Sequence, residues 1–222
     1  MLNSDGRLHI AAPNERITVT AHSGCMGLPD NSIEAMEAGV GAGAQIVEFD
    51  LRYTADGKPV LSHDEPKAGQ TCVALADAFR FLCAHEGITA NIDVKSTQYL
   101  DAVLPLAREI GVADRIFLTG LEEKDIPAAK EKCPGIPYYL NTDVHLFSHP
   151  ETPAKKALAL GAAGINIRWK SASPRLVHAC HKLGVQVSVW TVNKPRQIVR
   201  MARIGADNIT TRRPDLACAA IF

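Results

Sequence analysis

The chain has 222 residues, of which 46% are apolar and 22% are charged, as is typical of a soluble globular protein. Basic and acidic residues number 24 each, so no net charge indicates a nucleic acid or an anionic membrane as partner. No apolar run approaches the roughly 20 residues of a membrane span, and the N-terminal MLNSDGRLHI lacks the apolar core of a signal peptide. We expect a cytoplasmic protein with no stable membrane association.

Eight short apolar runs predict β-strands, at residues 17–21, 45–51, 88–94, 115–119, 137–141, 164–168, 185–190 and 208–210. Helical patterns fall between them, at residues 32–41, 74–86, 98–110, 122–132, 151–161, 174–183 and 194–204, with a last helix from residue 214. Asn31 or Ser32 is the capping signal of the first helix.

Strand and helix alternate eight times with no shift of composition between halves. This order favours an α/β fold, a (β/α)8 TIM barrel, as a single domain over residues 1–222. The chain is shorter than the roughly 250 residues typical of that fold, so insertions must be few. A doubly wound open sheet is the structural alternative, but HSGCMG after the first strand lacks its GxGxxG spacing.

The C-terminal ends of barrel strands carry the chemistry of this fold. The first predicted strand is followed by His22. The second carries Glu48 and Asp50, which share a face because they are two residues apart. The third carries Asp93 and Lys95, again on one face.

Three carboxylates that face inward at one end of a barrel are costly to leave unpaired. A divalent cation would neutralise them, and all-oxygen ligands select Mg²⁺ or Ca²⁺ over zinc. The same residues allow a second interpretation, a salt-bridge cluster in which Lys95 and Arg52 pair with Glu48 and Asp50. The pattern alone leaves both open.

A lone histidine is usually an ordinary surface or core residue, and five histidines have that interpretation here: His85, His145, His149, His178 and His181. His22 and His63 differ because both fall at strand ends beside the carboxylates, His63 after a DG turn and a short extended PVLS segment. Two imidazoles near a hard cation suit acid/base chemistry at a phosphate.

Six cysteines are scattered without a CxxC pair or a metal-ligand spacing. Such usage predicts reduced, mostly buried thiols that act as small apolar residues. Cys25 lies close to His22 in the chain, so a thiol nucleophile there stays open as an alternative.

The stretch AHSG…PDNSIEAMEAGVGAGAQIVEFDLRYTADGKPVLSHDEP resembles the opening of the glycerophosphodiester phosphodiesterases, which typically reads HRG, PENT, an ExD strand, T-x-DG and a closing HD. NIDVK, VWTVN and GADNITTRRPDL extend the resemblance over nearly the whole chain from about residue 17. The family belongs to the PLC-like phosphodiesterase superfamily, which also includes the phospholipase D toxins of spider venoms.

The resemblance implies a barrel phosphodiesterase with a bound divalent cation, Mg²⁺ or Ca²⁺. Its metal ligands would be Glu48, Asp50 and Asp93. Its catalytic residues would be the acid/base pair His22 and His63, with Lys95 neutralising phosphate charge. In the implied reaction, a hydroxyl adjacent to the phosphoester attacks phosphorus and gives a cyclic phosphate that water can open.

The implied substrate is a small phosphodiester, with glycerophosphodiesters as the default. A sugar phosphodiester or a lysophospholipid is the alternative within the superfamily, and a barrel that binds without turnover is the alternative outside catalysis. Which histidine is base and which is acid stays open.

Three departures from the family pattern bear on the substrate. Ser23 stands where the family usually has a phosphate-binding arginine. Asp93 is one methylene shorter than the usual glutamate, as in the spider toxins. The insertion that normally follows His63 and covers the glycerol is much shortened.

The missing arginine predicts that another arginine binds the substrate. Strand alternation places Arg52 on the face of Glu48 and Asp50, and Arg168 at the end of the sixth strand. Arg168 is the first choice because Arg52 can also pair with a carboxylate, and an arginine fork can take two oxygens at once. The family resemblance also implies that Trp190, at the end of the seventh strand, forms a wall of the substrate pocket.

Overall fold

The structure, a computed structural model, describes residues 17–143 and 149–222. His145 and the N-terminal MLNSDGRLHI lie outside these residues. The strands are β1 (Thr18–Ala21), β2 (Ile46–Tyr53), β3 (Pro59–Leu61), β4 (Val73–Ala74), β5 (Thr89–Val94), β6 (Ile116–Leu121), β7 (Tyr138–Asn141), β8 (Gly164–Arg168), β9 (Gln186–Trp190) and β10 (Asn208–Thr211).

One α-helix follows each strand except β2 and β3, whose connection to the next helix runs through β4. The helices are α1 (Ile33–Gly41), α2 (Leu75–Ala84), α3 (Val103–Ile110), α4 (Ile126–Lys132), α5 (Glu151–Leu160), α6 (Pro174–Lys182), α7 (Pro195–Arg203) and α8 (Pro214–Ile221). Within the part of the chain that the structure describes, none of them combines the length and apolarity needed to cross a bilayer.

Parallel pairing closes the sheet into a barrel in the order β1, β2, β5, β6, β7, β8, β9, β10. The closing contacts pair β1 with β10 along its whole length, Thr18 opposite Asn208 and Ala21 opposite Thr211. On its other side β1 pairs with the start of β2. The predicted (β/α)8 barrel is therefore confirmed, and the doubly wound alternative is wrong because these strands leave no open parallel edge.

Alternation along each strand divides the apolar residues between two layers. On β2 the fully buried Phe49 and Leu51 belong to the large core between barrel and helices. Ile46, on the opposite face, packs with Phe117 and Tyr139 in a separate cluster. Glu48 and Asp50 share the face of Ile46 and lie further toward the C-terminal end of β2.

A short antiparallel excursion follows β2. β3 pairs with β2 through Leu61 opposite Leu51, and β4 pairs with β3. The backbone N–H of Ser62 then donates to the carbonyl of Asp50 at 3.0 Å. This bond brings the next residue, His63, to the C-terminal end of β2.

All six cysteines are free, as predicted. Three are buried, two are half-buried and Cys83 is exposed. The Cys25 thiol donates to the carbonyl of Ala35 at 3.0 Å, and burial raises its pKa to about 11. A thiol that stays protonated at neutral pH is a poor nucleophile, so the geometry disfavours the Cys25 alternative.

Candidate active site

Three carboxylates meet at the C-terminal mouth of the barrel. One oxygen each from Glu48, Asp50 and Asp93 lies within 4.8 Å of the others. Asp50 and Asp93 are direct register partners on the neighbouring strands β2 and β5. Gly120 on β6 keeps this side open, because a Cβ there would lie 2.2 Å from Oδ1 of Asp93.

Lys95 neutralises part of this charge. Its Nζ lies 2.9 Å from Oδ1 of Asp50 and 2.7 Å from Oδ2 of Asp93. Burial opposes the ammonium charge, but the carboxylates of Asp93 and Asp50 outweigh it and raise the pKa of Lys95. Arg52 instead donates from Nε to the backbone oxygen of His63 at 3.2 Å. The predicted salt bridge between Lys95 and Asp50 is therefore present, whereas Arg52 bonds to a backbone carbonyl and not to a carboxylate.

Glu48 shows that the negative charge is not fully compensated. Burial first, and then the charges of Asp50 and Asp93, raise its pKa well above the usual value. The backbone N–H of Ser23 donates to its Oε2 at 2.8 Å and acts in the opposite direction. Three carboxylates balanced by one ammonium, with oxygen donors only, fit a hard divalent cation.

His22 follows β1 and lies beside Glu48. Its Nδ1 is 2.9 Å from the carbonyl oxygen of Ser23 and 3.8 Å from Oε2 of Glu48. Burial lowers the pKa of His22, the Ser23 carbonyl opposes the change, and the charge of Arg212 lowers it further. The ring is therefore neutral at neutral pH. With Nδ1–H donated to Ser23, Nε2 is left as a proton acceptor.

His63 lies at the same mouth of the barrel but is more exposed to solvent than His22. Its side chain is 68% exposed, against 23% for His22. Nδ1 of His63 is 2.8 Å from Oδ1 of Asp64, a contact that orients the ring. The two histidines thus differ in solvation and in partner.

Asn31 is the site residue that the sequence analysis missed, because it was considered only as a helix cap. Ser32 caps α1, accepting from the N–H of Ala35 at 3.1 Å. Asn31 instead donates from Nδ2 to Oδ2 of Asp50 and accepts the Asp50 N–H on Oδ1, both at 2.9 Å. It holds this conformation at a φ of 59°. The PDNS motif was the available signal, since asparagine tolerates positive φ.

The Asn31 contacts predict a measurable stability effect. We expect Asn31→Gly to lower the free energy of unfolding by about 1–3 kcal/mol, because it leaves the buried Asp50 short of hydrogen bonds. Asn31→Ala should cost about 1 kcal/mol more, since a left-handed backbone suits glycine but not alanine. Urea unfolding measures both. If both variants stay within about 0.5 kcal/mol of wild type, Asn31 does not stabilise the site.

Arg168 and Trp190 lie across the mouth at the ends of β8 and β9. They are register partners, and the Arg168 guanidinium carbon lies 5.6 Å from the centroid of the Trp190 ring. Both line a cleft of about 870 Å³ that also includes Asn141 and Asn166. Arg52 lines a different cleft of about 240 Å³, together with Tyr99. The structure therefore separates the two arginines that were candidates for the same task.

Known proteins resemble the chain over nearly its full length. A glycerophosphodiester phosphodiesterase of Caldanaerobacter subterraneus subsp. tengcongensis is 24% identical over 234 residues, which cover 89% of this chain and 94% of that protein. The crystal structure of a glycerophosphodiester phosphodiesterase from Parabacteroides distasonis has a TM-score of 0.80 at 21% identity, covering 93% of this chain and 97% of that one.

An Oleispira antarctica phosphodiesterase, solved in complex with the product sn-glycerol-3-phosphate, has a TM-score of 0.78 at 18% identity. The match covers 95% of this chain and 99% of that one. At these identities the structural likeness establishes the barrel fold. The family model described as "Glycerophosphoryl diester phosphodiesterase family" matches residues 22–73 and 66–216, from the first histidine of the site to the helix after β10. The resemblance seen in the motifs is thus confirmed, and the chain belongs to the glycerophosphoryl diester phosphodiesterase family.

Proposed function

We propose that this protein is a metal-dependent phosphodiesterase that cleaves a small alcohol or sugar phosphodiester by histidine acid/base catalysis. The observation that carries the proposal is the cluster of Glu48, Asp50 and Asp93 beside His22 at the mouth of a barrel of this family. Glycerophosphodiesters are the default substrate. The product complex of the Oleispira phosphodiesterase supports that choice by analogy.

Glu48, Asp50 and Asp93 would hold the divalent cation, Mg²⁺ or Ca²⁺, and their oxygen-only donor set supports this assignment. When bound, such an ion neutralises phosphate charge and polarises a phosphoryl oxygen. Lys95 would add a second positive charge. Two of its three N–H donors are engaged by Asp50 and Asp93, which leaves one for the substrate.

The different surroundings of the two histidines support different roles, His22 as the general base and His63 as the general acid. His22, neutral and with Nε2 unprotonated, would accept the proton of the substrate hydroxyl next to the phosphoester. That oxygen forms a bond to phosphorus while the bond from phosphorus to the leaving oxygen breaks. His63, oriented by Asp64, would protonate the leaving oxygen. The products are a cyclic phosphate and a free alcohol, and water opens the ring with the two roles reversed.

The cleft at the ends of β8 and β9 would receive the alcohol. Arg168 is exposed there and Trp190 is half-buried, so a guanidinium fork and an aromatic face lie side by side. This pair suits a sugar or other polyhydroxy group, since the fork can bind two oxygens at once. The sugar phosphodiester therefore stays the second candidate substrate.

We also propose that residues 1–222 form one barrel domain. A cytoplasmic location stays a prediction. It is supported by the six unpaired cysteines, because a reducing compartment preserves free thiols.

A panel of glycerophosphodiesters, sugar phosphodiesters and lysophospholipids, each assayed with Mg²⁺, Ca²⁺ or EDTA, tests the function. We expect phosphorus NMR to show a cyclic phosphate or a phosphomonoester that depends on the added cation. Undiminished turnover in excess EDTA would contradict the metal role. Binding of the panel compounds without any product would instead identify a barrel that has lost turnover.

A further inference from the structure

A phosphodiester beside His22 needs more positive charge than the acidic cluster leaves available. Lys95 is already engaged by two carboxylates. Position 23 supplies no positive charge because it is a serine. Ser23 is also 4% exposed, and its hydroxyl oxygen accepts the N–H of Asn31 at 2.8 Å. A positively charged side chain from another strand is therefore needed to bind the phosphate.

β1 pairs with β2, which carries two of the carboxylates, on one side and with β10 on the other. Arg212 is the first residue after β10. The backbone there is tied to the turn that carries His22. The N–H of His22 donates to the carbonyl of Thr211 at 2.8 Å, and the N–H of Met26 donates to that of Arg212 at 2.9 Å. Arg212 thus has a fixed backbone position beside the proposed base.

Its side chain extends over that turn. Nη2 of Arg212 lies 2.9 Å from Oδ1 of Asp30. A Cβ at Gly24 would lie 2.0 Å from that oxygen and 3.3 Å from Nη1 of Arg212, and Gly24 has a φ of 70°. The ion pair therefore rests on the bare backbone of the turn, where a larger residue would displace it.

We propose that Arg212 binds the substrate phosphate and supplies the charge that position 23 lacks, with Asp30 as its positioning residue. This inference rests on the proposed function. Asp30 engages one terminal nitrogen, so other N–H donors stay available for phosphate oxygens. The side chain is 44% exposed and can be reached by a ligand.

The two arginines considered from the sequence are placed less well for this task. Arg168 lies over the Trp190 ring, on the β8–β9 side of the mouth. Arg52 donates to the His63 carbonyl. By contrast, Arg212 directly follows the strand that pairs with β1, and its carbonyl accepts the N–H of Met26 in the turn that carries His22.

The test compares Arg212→Gln and Arg212→Lys with two matched variants. Arg213→Gln removes the same charge one residue along, from a side chain that is paired with Asp215 at 2.6 Å. Arg168→Lys tests the competing arginine. For each folded variant, kcat/KM is measured on the best substrate of the panel, and calorimetry measures the affinity for sn-glycerol-3-phosphate.

We expect Arg212→Gln to lower both quantities by about 10- to 100-fold, the value of one or two charge-assisted hydrogen bonds. Arg212→Lys should keep part of both, because it retains the charge but loses the fork. Arg213→Gln should leave both within about twofold of wild type. Asp30→Asn should raise KM more than it lowers kcat, as expected when a binding group is less well positioned.

Equal values for wild type and Arg212→Gln in both measurements would overturn the inference. A loss of sn-glycerol-3-phosphate affinity in Arg168→Lys but not in Arg212→Gln would assign the phosphate to Arg168, whereas a loss of kcat/KM alone in Arg168→Lys fits its proposed contact with the alcohol. If wild type turns over no panel compound, the proposed function fails separately. The affinity for sn-glycerol-3-phosphate then still decides the role of Arg212, because an unchanged affinity in Arg212→Gln contradicts it.

Discussion

Asp50→Asn is expected to abolish divalent-cation binding and to lower turnover by about a hundredfold or more, while the chain stays folded. Asp50 is the middle carboxylate of the cluster, adjacent in register to Asp93 and bonded to Lys95. Asparagine keeps its shape and can still accept from Asn31, but removes the charge that a hard cation requires. A lost Lewis acid costs several kcal/mol of transition-state stabilisation, and about 3 kcal/mol is a hundredfold in rate.

Calorimetry with Mg²⁺ and Ca²⁺ measures the binding, and the phosphorus NMR assay measures turnover. Asp56→Asn is the matched control, because it removes a carboxylate from the exposed hairpin turn, where Asp56 pairs with Lys58 at 2.8 Å. We expect this control to behave as wild type. Cation binding and turnover that both survive in Asp50→Asn would remove the acidic cluster from the mechanism.

His22→Ala and His63→Ala should each lower kcat by about 10²- to 10⁴-fold, the usual contribution of a general acid or base. The double variant should cost little more than the worse single variant, because both groups act on one transition state. His178→Ala, on the exposed face of α6, is the matched control and should leave kcat unchanged.

The leaving group distinguishes the two roles. A p-nitrophenyl phosphodiester releases an anion that needs no proton, so it should restore much of the activity of His63→Ala. The same substrate should not restore His22→Ala, because the attacking hydroxyl still has to lose its proton. Rescue of His22→Ala instead would reverse the assignment, and near wild-type kcat in either single variant would exclude that histidine from catalysis.

Local patterns were sufficient to predict the eight strands of the barrel. The strand predicted at 164–168 is β8 itself, and the capping signal before α1 appears as the Ser32 hydroxyl, which accepts the N–H of Ala35. The helices predicted at 98–110 and 122–132 begin later, as α3 at Val103 and α4 at Ile126. Pro105 and Pro127 explain the delay, since proline fits only the first turn of an α-helix.

The sequence by itself also determined the carboxylate cluster. A period of two put Glu48 and Asp50 on one face of β2, and parallel strands of a barrel end at one mouth, so Asp93 had to lie nearby. These inferences need only strand geometry. The resemblance in the HSG, EFD and NIDVK motifs could also be recognised without coordinates, because it rests on the residues themselves.

Only the tertiary structure decided which positively charged side chain pairs with which carboxylate. Register placed Lys95 between Asp50 and Asp93, and barrel closure placed Arg212 against Asp30, far away in the chain. No periodic pattern encodes such a pair, because it depends on how β10 meets β1 and on the path of a side chain over the Gly24 turn. Local sequence therefore specifies the residues at the mouth of the barrel, and their pairing follows from long-range packing.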